Sequence, residues 1–208
     1  MTAHEEELPG LGTFRLVTLD PARDIDLIYD WVTQPRARFW GMTAHSKELV
    51  QEIYEFVDSL ETHHAYLMLL DDEPTGIFQT YEPAADPIGA YYPVEDGDFG
   101  IHLFLAPAEK PRPGFTGTLA GALLRFAFAH PGTRRIVVEP DARNERALKR
   151  WRRLGFTFGA VVTTEEKTAQ LAFLGGVPAR PGVAQRDPGQ PATKLPAHQQ
   201  PQPPVRHP

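Results

Sequence analysis

The sequence predicts an α/β protein with a mixed central sheet flanked by helices, and three observations support this class. The front half alternates short β-prone runs with two amphipathic helical stretches. A strand–helix–strand unit follows between Asp98 and Glu139, which is the pattern of a parallel crossover. Two more strand-like runs, Thr157 to Thr164 and Ala169 to Leu174, close the folded part. The predicted order of elements is therefore β-α-α-β-β-β-α-β-α-β-β.

Length and composition indicate one domain with tails. The chain has 208 residues, of which 41% are hydrophobic and 23% charged. This length suffices for one well-buried core and is short for two. We predict a flexible N-terminus over residues 1–10, a single domain over 11–175 and a disordered tail over 176–208, because nine of the 21 prolines lie in that last segment.

Charge and cysteine content exclude several classes of function. The net charge of −6 disfavours nucleic acid as a partner. Because the chain has no cysteine, disulfides, thiolate metal sites and a cysteine acyl-enzyme are excluded. No His/Asp/Glu set has metal-site spacing, so we expect no metal. The chain shows neither a secretory signal nor a run long enough to span a membrane, which predicts a cytoplasmic protein without a membrane partner.

Capping residues mark the first two helices. Asp20 followed by Pro21 reads as an N-cap with proline at the first helical position, and Ser46 takes the capping place before the second helix. Apolar residues recur at the helical period behind each cap: Ile25, Leu27, Ile28, Trp31 and Val32, then Leu49, Val50, Ile53, Phe56, Val57 and Leu60.

The loop between these helices combines cations with aromatic residues. It contains Arg36, Arg38, Phe39 and Trp40. Such a loop is either a wall of a substrate site or a connection pinned by buried aromatic rings. We take Arg36 and Trp40 as candidate substrate-binding residues.

A turn with glycine and threonine opens the helix that follows the strand Asp98 to Ala106. The first turn of a helix has backbone N–H groups without intrahelical partners, and these can hold a phosphate. Glycine also permits close approach of the ligand. The candidate anion-binding residues are Arg112, Gly114, Thr116, Gly117 and Thr118.

A second pattern follows the next strand. Asn144-x-x-Ala147, then Trp151-x-x-Leu154-Gly155-Phe156, resembles the motif of the Gcn5-related N-acetyltransferases, the GNAT family. This resemblance implies a GNAT fold, a coenzyme A pyrophosphate on the preceding turn and a contact between Asn144 and coenzyme A. Two departures stand out, because threonines occupy glycine places in the turn and Trp151 replaces the tyrosine that in many members protonates the leaving thiolate.

Four further motifs are similar to those of the acyltransferases of hydroxamate siderophore biosynthesis. That group includes the mycobactin lysine N-acyltransferase, the aerobactin hydroxylysine acetyltransferase and the desferrioxamine hydroxydiamine acyltransferase. The motifs are Trp31-x-x-x-Pro35-x-x-x-x-Trp40, Tyr81-Glu82-x-x-x-Asp86-Pro87-x-x-x-x-Tyr92, Asp98-x-Gly100-x-His102-Leu103 and Glu139-Pro140-Asp141-x-x-Asn144.

The narrower resemblance implies that His102 and Asp141 are catalytic and that Tyr92 binds substrate. His102 would polarise the thioester carbonyl or orient the nucleophile, and Asp141 would accept a proton or hold a cationic amine. Without the resemblance, His102 is equally readable as a core histidine and Asp141 as a helix N-cap.

The implied activity is acylation of the amine or hydroxylamine of lysine, hydroxylysine or a hydroxylated diamine by direct attack on an acyl-CoA in a ternary complex. The sequence leaves open whether free coenzyme A or an acyl carrier protein delivers the acyl group. Two alternatives are an aminoglycoside-type N-acetyltransferase and a GNAT-like protein that binds acyl-CoA without turnover.

Overall fold

The computed structural model describes residues 1–108 and 114–175. The mixed central sheet flanked by helices that the sequence predicts is confirmed. The helices and strands have these bounds: β1, Thr2–Leu8; β2, Gly12–Thr18; α1, Pro21–Val32; α2, Lys47–Asp58; β3, His63–Leu70; β4, Glu73–Tyr81; β5, Asp98–Leu105; α3, Phe115–Ala129; β6, Arg135–Val138; α4, Glu145–Arg153; β7, Thr157–Thr163; β8, Thr168–Leu174. Short 3-10 helices, Pro35–Ala37 and Pro87–Ala90, follow α1 and β4.

The first two helices begin at the predicted capping residues. The Asp20 carboxylate accepts hydrogen bonds from two backbone N–H groups of the first turn of α1, each at 3.0 Å. Ser46 Oγ accepts one from the N–H of Leu49 at 3.2 Å. These bonds satisfy groups that a helix start otherwise leaves without partners.

The strands form one sheet in the order β1-β2-β3-β4-β5-β6-β8-β7. All neighbouring strands are antiparallel except β5 and β6, which pair in parallel across the α3 crossover. None of the helices in the described ranges has the length and apolar character that crossing a bilayer requires.

The sheet separates two apolar layers. On one face α1, α2 and the loop between them pack against the sheet through Ile28, Trp31, Val50, Tyr54, Ile77 and Phe104. On the other face α3 and α4 pack through Phe99, Ile101, Leu119, Leu123, Ile136 and Trp151. Because side chains alternate along a strand, Gly100, His102 and Phe104 of β5 all face the α1/α2 layer.

The prediction of a flexible N-terminus over residues 1–10 is wrong, because Thr2–Leu8 forms the edge strand β1 against β2. Leu8 is 2% exposed and belongs to the core, and the Glu6 carboxylate binds Arg125 of α3. The sequence does not predict this strand, because its three consecutive glutamates break the alternation of apolar and polar residues. An edge strand can tolerate them, since it buries little of its outer face.

The single domain over residues 11–175 stays a prediction; the helices and strands described within those bounds belong to one sheet and the helices that flank it. The segment 176–208, predicted to be a disordered tail, lies outside the described residues.

If β1 is an integral strand, the Leu8→Ala variant should lose about 2–5 kcal/mol of unfolding free energy, because a buried side chain leaves a cavity. Glu5→Ala on the same strand is the control, since Glu5 is exposed. Urea denaturation measures both variants. Equal midpoints for the two would contradict the burial of β1.

Candidate functional site

The site lies where β5 and β6 separate. Their parallel ladder joins Asp98 to Arg135, Phe99 to Ile136 and Gly100 to Val137, and then ends. β5 continues for five residues beyond its last pair, to Leu105, while β6 stops at Val138. The second half of β5 therefore has no strand partner on this side, and polar side chains from both strands meet at the opening.

A buried carboxylate connects the two strands across this opening. Glu139 directly follows β6, is 6% exposed and accepts a hydrogen bond from His102 Nε2. The Tyr81 hydroxyl donates to its other oxygen at 2.7 Å, and Lys167 Nζ lies 3.6 Å from the first. Burial by itself would raise the pKa of Glu139, but the positive charges of His102 in its protonated form and of Lys167 outweigh burial and lower the pKa to about 2.

Glu139 is a candidate site residue that the sequence motifs alone did not single out. Its position was visible, because it opens the same motif that contains Asp141. What sequence could not provide is the contact: His102 bonds to Glu139, and no hydrogen bond joins His102 to Asp141 among the described residues.

Two aromatic rings hold the imidazole of His102. Tyr81 lies 4.9 Å from it between ring centroids, and Trp40 lies 6.3 Å away in an edge-on arrangement. The Trp40 indole donates to the Tyr54 hydroxyl at 3.3 Å, which fixes its orientation. His102 nevertheless keeps 35% of its side chain exposed, so it is held in place and accessible rather than a core histidine.

Glycine at position 100 makes room for Tyr81. The two residues are paired across β4 and β5, and a Cβ at Gly100 would come 2.1 Å from a Tyr81 ring atom. Burial, together with the negative charge of Glu139, raises the pKa of Tyr81 well above its usual value. The Tyr81 hydroxyl therefore stays protonated and remains a hydrogen-bond donor.

The carboxylate of Asp141 forms its hydrogen bonds within its own loop. Its carboxylate accepts from the backbone N–H of Arg143 at 2.8 Å and from the Arg143 side chain at 2.9 and 2.7 Å. The bonds from the Arg143 side chain lower the pKa of Asp141 against the opposing effect of burial. Asn144, rather than Asp141, caps α4 by accepting from the Ala147 N–H at 3.2 Å.

The start of α3 fits the predicted anion site. Gly114 has φ +77° and supplies no side-chain cap, and the first intrahelical bond runs from Thr118 N–H to Gly114. The N–H groups of the three residues in between therefore lack intrahelical acceptors. A Cβ at Gly114 or Gly117 would meet no atom of the described residues within 4 Å, which leaves room beside the first turn of α3. Arg112 lies outside the described residues.

The predicted substrate residues are not all near His102. Trp40 contacts it, as described above. Arg36 donates to the carbonyl of Leu105 at 2.9 Å, which ties the loop after α1 to the end of β5.

Tyr92 contacts the first residue of β5, away from His102. Its hydroxyl donates to Asp98 at 3.0 Å and its ring packs 5.4 Å from Phe173. Asp98 is four residues from His102, which is about 13 Å along a strand. The contacts of Tyr92 are thus those of a packing residue, because the loop that contains it returns to the start of the strand.

Trp151 belongs to the core. It is 5% exposed and packs 4.9 Å from Phe156 between ring centroids. Among residues 1–108 and 114–175, no group of three or more His, Cys, Asp or Glu side chains could hold a metal ion.

Known proteins with related sequences point to one family. The model of the acetyltransferase (GNAT) domain matches residues 20–164. The aminoglycoside N(6')-acetyltransferase type 1 of Klebsiella pneumoniae is 27% identical over 76% of this chain and 79% of that protein. The N(6)-hydroxylysine O-acetyltransferase of Escherichia coli is 26% identical over 74% of this chain and 48% of that protein. The lysine N-acyltransferase MbtK of Mycobacterium tuberculosis is 34% identical over 47% of this chain and 48% of that protein.

A solved structure shows the same fold. The aminoglycoside acetyltransferase AAC(6')-Ib in complex with ribostamycin and coenzyme A superposes with a TM-score of 0.69 at 26% identity, over 78% of this chain and 93% of that chain. The predicted GNAT fold is thereby confirmed.

The charge of Glu139 should contribute to stability in a defined pH range. Its folded pKa of about 2 is below its ordinary value of about 4.3, so the contribution is complete above pH 5 and is lost as pH falls through the folded value. We expect Glu139→Gln to be less stable by about 3 kcal/mol at pH 7. The difference from wild type should shrink between pH 5 and pH 2 in urea denaturation; a constant difference would contradict an ionised Glu139.

Proposed function

Because the chain belongs to the GNAT acetyltransferase family, we propose that it transfers an acyl group from acyl-CoA to lysine, hydroxylysine or a hydroxylated diamine in hydroxamate siderophore biosynthesis. The acceptor nitrogen is an amine or a hydroxylamine. The observation that carries this proposal is His102, held across the opening between β5 and β6 by the buried carboxylate of Glu139.

The acyl donor approaches from α3 and α4. Acyl-CoA is the co-substrate of this family, and a related structure contains coenzyme A. The free N–H groups at the start of α3 would hold its pyrophosphate, because a helix N-terminus favours anions. The side-chain oxygen of Asn144 accepts the capping hydrogen bond of α4. Its NH₂ group is left to donate a hydrogen bond to the coenzyme A part of the acyl donor.

His102 would act as the general base. A carboxylate with a pKa of about 2 can only accept a hydrogen bond at neutral pH, so His102 Nε2 carries the proton that faces Glu139. In the neutral imidazole, Nδ1 is then free to accept a proton from the attacking nitrogen. Glu139 orients the ring and stabilises the imidazolium that forms.

The role of the base depends on the acceptor. A lysine side-chain amine has a pKa of about 10.4 and must lose a proton before attack. A hydroxylamine is far less basic and is already neutral. Asp141, whose carboxylate is bound by Arg143, would position the loop and not exchange the proton.

The leaving thiolate would have no protein acid at the usual place. Trp151 is buried in the core and an indole N–H cannot protonate a thiolate. Thiols have a pKa of about 8.5, so a thiolate is a tolerable leaving group near neutral pH and can take its proton from water.

Aminoglycoside acetylation is the second candidate function. It is favoured by the extent of the match to the Klebsiella pneumoniae enzyme, which covers more of this chain than the match to MbtK does. The siderophore reading instead rests on the motifs around His102 and Glu139 and on the relatives that act on lysine or hydroxylysine. A carrier protein in place of coenzyme A remains a further donor to test.

A thiol-release assay separates these functions. We expect acyl-CoA turnover with lysine, N6-hydroxylysine or N-hydroxycadaverine to exceed turnover with kanamycin or ribostamycin, because the motifs around His102 and Glu139 are similar to those of the siderophore acyltransferases. Mass spectrometry of the products over several acyl lengths identifies the donor. A higher kcat/KM with the aminoglycosides would reverse the assignment, and binding without turnover of any acceptor would make the chain a non-catalytic acyl-CoA-binding protein.

His102→Gln should lower kcat by about 10²–10⁴, because a glutamine cannot exchange a proton. Binding of coenzyme A should be unchanged, since His102 faces the α1/α2 layer. The matched control is His64→Gln, which changes an exposed histidine on β3. Steady-state kinetics and calorimetry measure the two effects; equal kcat in the two variants would remove His102 from the chemistry.

A further inference from the structure

Two arginines contact the same aromatic ring beside the candidate site. The Arg38 guanidinium lies 4.5 Å from the centroid of the Phe39 ring, and the Arg143 guanidinium lies 5.9 Å from the same centroid. Arg38 and Phe39 belong to the loop after α1, whereas Arg143 belongs to the loop between β6 and α4. We call these three residues the arginine bracket.

Two routes through neighbouring residues connect the arginine bracket to His102. One route leads from His102 to Trp40, the sequence neighbour of the aromatic residue in the bracket. The other route leads from His102 to Glu139, then two residues on to Asp141, whose carboxylate binds the second arginine. The arginine bracket is thus linked on one side to Trp40, which contacts His102, and on the other to Asp141, two residues from Glu139.

The two guanidinium groups keep donors available. Arg143 uses Nε and Nη2 on Asp141, and its Nη1 has no acceptor among the described residues; its side chain is 79% exposed. The side chain of Arg38 has neither an ion pair nor a hydrogen bond with the described residues, and its contact is the Phe39 ring. Its positive charge is therefore not offset by a described carboxylate, while contact with the Phe39 ring face orients the group.

We propose that the arginine bracket binds a carboxylate of the acceptor, so that the substrate class is an amino acid with a side-chain amine or hydroxylamine. A guanidinium presents paired donors that match a carboxylate, and a second guanidinium facing the same ring adds charge. This inference rests on the proposed function and narrows it: diamines and aminoglycosides have no carboxylate to offer.

Kinetics with two acceptors that differ only in the carboxylate test this inference. Lysine and cadaverine form one pair, and N6-hydroxylysine and N-hydroxycadaverine form another. Arg38→Met should raise KM about tenfold for the amino acid of each pair and leave KM for the diamine and for acyl-CoA unchanged. Arg38→Lys should recover part of the loss, because it keeps the charge but not the paired donors.

The matched control is Arg134→Met. Arg134 is an exposed arginine that directly precedes β6, at the end of the strand away from Glu139, and its substitution should change none of these constants. Equal effects of Arg38→Met on amino acid and diamine would overturn the inference and leave the proposed function standing. An effect confined to acyl-CoA would also overturn it, by placing Arg38 on the donor phosphates.

Calorimetry decides the inference independently of turnover. Lysine should bind to the wild-type chain with coenzyme A present more tightly than cadaverine does, and Arg38→Met should abolish the difference. If the wild-type chain turns over neither acceptor, the proposed function fails, while this binding difference still supports or overturns carboxylate recognition.

Discussion

A single buried negative charge organises the opening between β5 and β6. Transfer of a carboxylate out of water costs several kcal/mol unless partners compensate for it. Glu139 has three partners on three different elements: Tyr81 at the end of β4, His102 within β5 and Lys167 in the turn between β7 and β8. Because each partner comes from a separate part of the chain, the ionisation of Glu139 depends on how all three parts are positioned around the opening.

The alternation of side chains on β5 would separate the two reactants of the proposed reaction. His102 faces the α1/α2 layer, whereas Ile101 on the same strand packs against α3 and α4. The open helix start at Gly114 belongs to the α3 side. Donor and acceptor would therefore meet in the gap that the short ladder of β5 and β6 leaves, and no covalent relay through the protein is required.

Specificity for the acceptor would reside in the loops. The relatives act on aminoglycosides, hydroxylysine or lysine according to their names, although they share one domain family. In this chain the loop after α1 and the loop after β6 meet at Phe39, whose ring contacts a guanidinium group from each loop. Loops vary at lower cost to stability than the sheet does, so the same scaffold accommodates different amines.

Local signals in the sequence were sufficient for most of the architecture. Caps at Asp20 and Ser46, the periodic apolar residues behind them and the crossover into β6 each depend on neighbours a few residues apart, and the structure has each of them. The edge strand Thr2–Leu8 was missed because its acidic residues show no alternation that a burial pattern would reveal.

Residue identity and spacing, by themselves, determined the fold, the family and the candidate histidine. Tertiary structure alone decided which carboxylate forms a hydrogen bond with His102. It also decided that Arg143 binds the Asp141 carboxylate and that the Tyr92 hydroxyl donates to Asp98. The contact between His102 and Glu139 joins side chains 37 residues apart. The contacts of Asp141 and Tyr92 are with residues two and six positions away and depend on the path of a loop, which no periodic pattern specifies. Periodicity and capping report only on neighbours along the chain, and so they could not predict contacts that form when distant strands come together.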